Sequence, residues 1–131
     1  MPVKDLRTRR DNQQWMLDLA LNMRGRVQNF ERDDWETPKR AHNYRMLPKM
    51  WREKAEHDEN LAKQAQKQGF DTTATEHYDH AIEGYRMAQH PIFYDDNPVK
   101  ISTYNKLSEM VDRRSEVASY PIERVEVPFD D

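Results

Sequence analysis

The sequence predicts a mainly helical protein that ends in a single β-strand. Two segments with apolar residues at helical spacing flank Gly69, and so short a link joins antiparallel helices. Residues 122–131 instead alternate apolar and polar side chains, which is typical of a strand. Apolar residues make up 36% of the chain and charged residues 34%, so the apolar share is below the roughly 45–50% of a globular domain. We therefore expect helices that complete their core against a partner.

The amino-terminal region carries one expected helix between two irregular stretches. Residues 1–11 contain four basic side chains and are expected to form a flexible basic tail. A helix is expected from Asp11 or Asn12 to Gly25 because apolar residues share one face. These residues are Met16, Leu19, Ala20 and Met23. Residues 26–46 are charged and show no regular period.

The strongest apolar pattern predicts a helical hairpin over residues 47–89. The first helix should begin near Leu47 and end at Gly69, with an apolar stripe of Leu47, Trp51, Ala55, Leu61, Ala62 and Ala65. The second should begin at Asp71 or Thr72, end before Pro91, and turn inward Ala74, Tyr78, Ala81, Ile82, Tyr85 and Ala88. Small alanines opposite large aromatic rings allow the helices to approach closely. We expect this hairpin to be the stable core.

A last helix and the terminal strand follow a loop from His90 to Asn97. Asn97 is a suitable cap for a helix opened by Pro98. Its inner side is expected to carry Ile101, Tyr104, Leu107, Val111 and Ala118. Pro121 then separates it from the strand, which has no partner strand in this sequence. Because a lone strand cannot pair its own backbone groups, we interpret the chain as the front part of a larger protein.

Charge and composition exclude several classes of partner and site. The net charge is −3 with acids and bases interleaved, so neither nucleic acid nor a membrane is an expected partner. There is no cysteine, which excludes disulfides and thiol chemistry and is compatible with a reducing compartment. No apolar run approaches the ~20 residues of a membrane span, and the start lacks the apolar core of a signal peptide. We expect a soluble, cytoplasmic protein.

Catalytic motifs are missing from the chain. An α/β-hydrolase nucleophile sits in a G-x-S-x-G turn, because the tight turn needs glycines beside the serine. The three glycines are Gly25, Gly69 and Gly84, and none lies near a serine. There is also no glycine-rich loop to hold a phosphate. We therefore expect no catalytic residue, no cofactor and no activity from this chain alone.

Histidines and aromatic residues supply the remaining candidates. Glu76 and His80, and likewise Glu53 and His57, are one helical turn apart, but di-metal sites in helical bundles repeat an E-x-x-H spacing that is absent here. Solvated faces explain these pairs better, and no metal site is expected. Around the loop, the candidate substrate-lining residues are His90, Phe93, Tyr94 and Tyr104. Buried aromatic residues belong to a core more often than to a site, so a core role is the preferred interpretation of these residues.

Several segments together resemble a known family. They are the A-x-x-A stripe of the first hairpin helix, the Gly69 turn, the run AIEGYRMAQHP at 81–91, the final helix and the ending IERVEVPFDD. Over roughly residues 12–131 the chain resembles the amino-terminal helical region of α/β-hydrolases related to pseudooxynicotine hydrolase, the fermentation-respiration switch esterase and fungal polyketide-shortening hydrolases. The resemblance implies that the helices pack over a catalytic domain and help to enclose substrate, and that VEVPFDD is the first strand of its sheet. The family's serine, aspartate and histidine have no matching positions here.

After the flexible tail at 1–11, the resemblance implies two parts: a helical substrate-enclosing domain at 12–120 and the first strand of a truncated catalytic domain at 121–131. The expected partner is an α/β-hydrolase catalytic domain, in cis or in trans, that acts on an ester or an activated carbon–carbon bond. Self-association into a homo-oligomer is a further expectation. The alternative is a free-standing helical interaction module with a tetratricopeptide-like hairpin around Gly69, although such arrays need at least three repeats and one is found.

Overall fold

The computed structural model describes residues 40–129, and this part of the chain is mainly helical. A 3₁₀ turn at Tyr44–Met46 leads into α1 (Leu47–Lys67), α2 (Asp71–Gln89) and α3 (Pro98–Val117). The predicted tail at 1–11, the predicted helix up to Gly25 and most of the irregular stretch at 26–46 lie outside the described residues. Within residues 40–129, no helix is long and apolar enough to cross a membrane.

The hairpin of α1 and α2 is confirmed, and local signals explain its ends. Pro48 lies in the first turn of α1, where its missing N–H costs nothing. At the other end Gly69 has a φ of 80°, a conformation that glycine adopts without a steric penalty. The Gly69 N–H donates to the Gln66 carbonyl (3.0 Å), and the Phe70 N–H donates to the Ala65 carbonyl (3.0 Å). This pair of bonds is a Schellman motif, and it turns the chain directly into α2.

Small residues bring α1 and α2 into close contact, as the sequence predicts. Ala55, Ala62 and Ala65 of α1 are buried against Tyr78 and Tyr85 of α2. The predicted inner side of α2 is buried apart from the partly buried Ile82, and Leu61 is the partly buried member of the α1 stripe. These side chains form the main core of the described residues.

Helix α3 starts as predicted but presents a different face. The Asn97 side chain accepts hydrogen bonds from the Val99 and Lys100 N–H groups (2.9 and 3.3 Å), which confirms the cap. The buried residues of α3 are Thr103, Met110 and Val117, spaced seven apart. Ile101 and Tyr104, which were expected to face inward, are 48% and 57% exposed.

The buried face of α3 differs from the predicted face because of the way the three helices pack. Helix α2 lies between the other two, because it packs along both α1 and α3, whereas α1 and α3 touch each other at few points. A helix that contacts one neighbour buries a narrow stripe, so only part of its apolar surface can be covered. Leu107 joins the core as predicted, Val111 and Ala118 are partly buried, and the first two turns of α3 keep apolar side chains in solvent.

The predicted terminal strand is not found. Residues 121–129 have no regular secondary structure, and all of them are exposed. No strand occurs anywhere between residues 40 and 129, so this segment has no edge with which to pair. The strand and the catalytic sheet that it was expected to begin therefore remain a prediction.

Candidate functional site

The loop between α2 and α3 holds most of the predicted substrate-lining residues. Two backbone turns shape the loop: the Ile92 N–H donates to the Gln89 carbonyl (2.9 Å), and the Asn97 N–H donates to the Tyr94 carbonyl (3.2 Å). Asp95 accepts a hydrogen bond from the Lys100 ammonium at 2.6 Å, and this bond lowers the pKa of the Asp95 carboxyl. The loop is thus tied to the first turn of α3.

The predicted site residues on this loop and on α3 are exposed. Phe93 is 59% exposed, Tyr94 is 78% exposed, and His90 and Tyr104 are also exposed. The preferred interpretation of these four residues as part of a core is therefore wrong for the described residues. Tyr104 and Ile101 are three residues apart on α3 and share a face. We refer to Phe93, Tyr94, Ile101 and Tyr104 as the loop–helix surface.

The segment after α3 adds a second run of exposed apolar side chains. Val125, Val127 and Phe129 are 72%, 79% and 92% exposed. Arg124 tethers the segment to α3, because its guanidinium donates to the Asp112 carboxylate at 2.7 Å and to the Ser108 carbonyl at 3.5 Å. The segment therefore runs back beside the last turns of α3, with its apolar side chains in solvent.

A groove of about 710 Å³ opens elsewhere, between α2 and the residues that follow α3. From α2 it is lined by residues that include Glu76, Asp79, His80 and Glu83, and none of the predicted substrate-lining residues reaches it. The Arg114 guanidinium donates to both Asp79 oxygens, and Glu83 accepts from the Arg86 guanidinium. Two of the four acids that line the groove, Asp79 and Glu83, are thus neutralised by local ion pairs.

A buried carboxylate links all three helices. The first oxygen of Glu59, Oε1, accepts from the ammonium groups of Lys63 (2.5 Å) and Lys106 (3.0 Å), and Oε2 accepts from the Tyr85 hydroxyl (2.5 Å). Burial alone would raise the pKa of Glu59, but the hydrogen bonds from Lys63, Tyr85 and Lys106 outweigh it, so the pKa lies below its ordinary value. Burial and the bond to Glu59 raise the pKa of Tyr85. A carboxylate held by three donors is a structural tie rather than a proton acceptor.

Three side chains at the interface of α1 and α2 form a group that the sequence did not predict. Asp58 of α1 and His77 and His80 of α2 each place one ligand atom within 4.8 Å of the other two. The available signal was the position of Asp58 on the apolar stripe, three residues after Ala55. Of the pairs weighed from the sequence, Glu53, His57 and Glu76 are exposed as expected of solvated faces, but His80 is partly buried.

Comparisons of the chain with family models, with curated proteins and with solved structures give no match.

Proposed function

We propose that this chain is the helical, substrate-enclosing region of an α/β-hydrolase that cleaves an ester or an activated carbon–carbon bond. The observation that carries the proposal is the loop–helix surface, where aromatic and aliphatic side chains are exposed on one loop and the helix it opens. Exposed apolar patches mark interfaces or ligand sites in soluble proteins. A catalytic domain placed against this surface would cover it and would enclose a pocket between two domains, where ligand sites commonly form.

In this proposal the catalytic sheet carries out the reaction, and the helical region binds the substrate. The nucleophile, the general base and the oxyanion hole belong to the catalytic sheet, because no G-x-S-x-G turn exists in this chain. The helical region would exclude water from the pocket and bind the apolar part of the substrate. Phe93 and Tyr104 would offer ring faces to it, whereas His90 and Tyr94 carry polar groups that could orient a carbonyl or hydroxyl.

The terminal segment supports the same arrangement. Its apolar residues alternate with polar ones, and its backbone groups have no strand partner within residues 40–129. A catalytic sheet would supply that partner. The Arg124–Asp112 pair that tethers the segment is exposed at both ends, and an exposed pair contributes only ~0–1 kcal/mol. Such a tether would not prevent the segment from joining a sheet.

The test compares residues 1–131 with the product of the complete reading frame. We expect residues 1–131 alone to be inactive towards aryl esters, and the complete product to hydrolyse them if the frame continues into strands and a G-x-S-x-G turn. In that product, Phe93→Ala with Tyr104→Ala should lower kcat/KM for long acyl chains by ~10-fold or more, because several apolar contacts are lost. Val99→Ala is the matched control, since Val99 is an exposed apolar residue of the same helix outside the loop–helix surface.

Two results would contradict the proposal. One is ester turnover by residues 1–131 alone that a serine-directed inhibitor abolishes. The other is a reading frame that stops after Asp131 when no separate α/β-hydrolase catalytic domain binds the chain.

The second candidate function is a free-standing helical interaction module. It is favoured by the core of the three helices, in which Tyr78, Tyr85 and Met110 are fully buried without any further domain. The loop–helix surface would then bind another protein rather than a catalytic domain. A reading frame that stops after Asp131, together with saturable binding of a separate protein that Tyr104→Ala weakens, would favour this function over the first.

A further inference from the structure

Three metal-ligating side chains converge where α1 meets α2. His77 and His80 are three residues apart, so they lie on one face of α2, and Asp58 reaches them from α1. The Asp58 side chain is only 10% exposed and that of His77 28% exposed. Atom Nδ1 of His77 is 3.9 Å from Oδ1 of Asp58, which is beyond hydrogen-bond distance. Two ligand atoms thus face each other across a gap without a bond.

This arrangement leaves bonding capacity unused. Nδ1 of His77 is buried and has no hydrogen-bond partner among the described residues. Buried polar atoms in proteins nearly always have a partner, so an unpaired nitrogen needs an explanation. Lys54 donates to Oδ2 of Asp58 at 3.0 Å, which holds the carboxylate and leaves Oδ1 turned towards His77. A cation between the nitrogen and Oδ1 would give both atoms a partner.

We infer that Asp58, His77 and His80 form a binding site for Zn²⁺. Two imidazole nitrogens and one carboxylate oxygen are ligands that zinc accepts, and hard cations such as Mg²⁺ prefer oxygen alone. Zinc–ligand bonds of ~2.0–2.2 Å in a tetrahedron place the donor atoms ~3.3–3.6 Å apart. The three atoms lie within 4.8 Å of one another, so small rotations of the side chains would complete the set. The fourth position would face solvent, as in zinc sites that bind a water or a substrate.

Zinc titration of the full chain tests this inference, with no histidine tag present. We expect calorimetry to show one Zn²⁺ per chain and no comparable binding of Mg²⁺. His77→Ala and His80→Ala should each weaken zinc binding by ~10-fold or more, because loss of a direct ligand should cost at least as much affinity as loss of a residue that only hydrogen-bonds to a ligand. The double variant should not bind zinc. Zinc should raise the Tm of the parent chain and not that of the double variant. His57→Ala is the control, because His57 is an exposed histidine of α1, and it should leave the affinity unchanged.

A folding defect is separated from loss of a ligand by far-UV circular dichroism and by Asp58→Asn. The asparagine keeps the size of the side chain and removes the charge that the metal needs. Absence of saturable zinc binding by the parent chain would overturn the inference. So would binding that persists in the folded double variant, or binding that His57→Ala weakens as much as His77→Ala does.

Discussion

The hydrogen bond between Tyr85 and Glu59 should stabilise the fold more than the Tyr78–Gln66 hydrogen bond two turns away on α2. Tyr85 and Tyr78 are both fully buried on α2, and each hydroxyl donates to a side chain of α1 at 2.5 Å. The acceptor is the Glu59 carboxylate for Tyr85 and the Gln66 amide oxygen for Tyr78. Substitution by phenylalanine keeps each ring in place and removes only the hydroxyl.

The expected magnitudes follow from charge and burial. A hydrogen bond to a charged group contributes ~1.5–3 kcal/mol and a neutral one ~0.5–1.5 kcal/mol. Glu59 is 4% exposed, so Tyr85→Phe leaves Oε2 buried without its donor. Gln66 is partly exposed, so after Tyr78→Phe its amide can turn to water. We expect Tyr85→Phe to lower the free energy of unfolding by about 2 kcal/mol and Tyr78→Phe by about 1 kcal/mol.

Urea unfolding of the full chain, followed by circular dichroism and tryptophan fluorescence, measures both values. The urea dependence of the unfolding free energy should stay constant, so that the midpoints report stability directly. Adding Glu59→Gln to each variant completes a double-mutant cycle. The coupling energy with Glu59 should be large for Tyr85 and near zero for Tyr78. An equal or larger cost for Tyr78→Phe would refute the reasoning that the carboxylate strengthens the Tyr85 bond.

Three further predictions concern the same helices. The pKa of Glu59 in the folded state lies below its ordinary value of 4.5, so ionised Glu59 stabilises the fold above pH 4.5. This stabilisation is lost as the pH falls from 4.5 through the folded-state pKa. Glu59→Gln should flatten this part of the curve of unfolding free energy against pH. Gly84→Ala would place a Cβ 2.8 Å from Ala55 Cβ, so it should cost about 1 kcal/mol despite the better helix propensity, and Ala55→Gly should restore most of the loss, as measured by urea midpoints. Deleting residues 122–131 should leave helix content unchanged and reduce self-association in light scattering, whereas loss of the fold would show that the segment is integral.

The sequence predicts the hairpin well because local signals mark its ends. Pro48 and the Gly69 turn bound α1, and Pro91 follows the end of α2. These residues act through their own backbone geometry, so they work without knowledge of the tertiary structure. The same holds for Asn97, whose side chain caps α3. The described helices therefore begin and end close to their expected positions.

The buried face of α3 could not be read from the same pattern. Apolar residues occur on two sides of this helix, and the side that becomes buried depends on which neighbour it meets. Met110 and Val117 meet α2, whereas Ile101 and Tyr104 meet no described residue that buries them. Thr103 joins the buried stripe although it is polar, because its hydroxyl donates to the Val99 carbonyl at 2.7 Å. Side-chain hydrophobicity alone would bury Ile101 and Tyr104 and expose Thr103, which is the opposite of what the structure shows.

Two adjacent acids on α1 show why the candidate zinc site also escapes a sequence pattern. Asp58 and Glu59 are both buried, and their positions in the sequence pattern do not show which of them has a free oxygen in the described part of the chain. Donors from α1, α2 and α3 hydrogen-bond to both oxygens of Glu59, so the charge of this carboxylate is neutralised within the fold. Among residues 40–129, Asp58 receives one ammonium, on Oδ2, and its other oxygen faces His77 across 3.9 Å. The close contact of Gly84 with Ala55, one turn before Asp58, brings the two helices near enough for so short a side chain to reach that imidazole. Backbone approach at a glycine and incomplete neutralisation of one acid together distinguish the candidate site from the structural tie beside it.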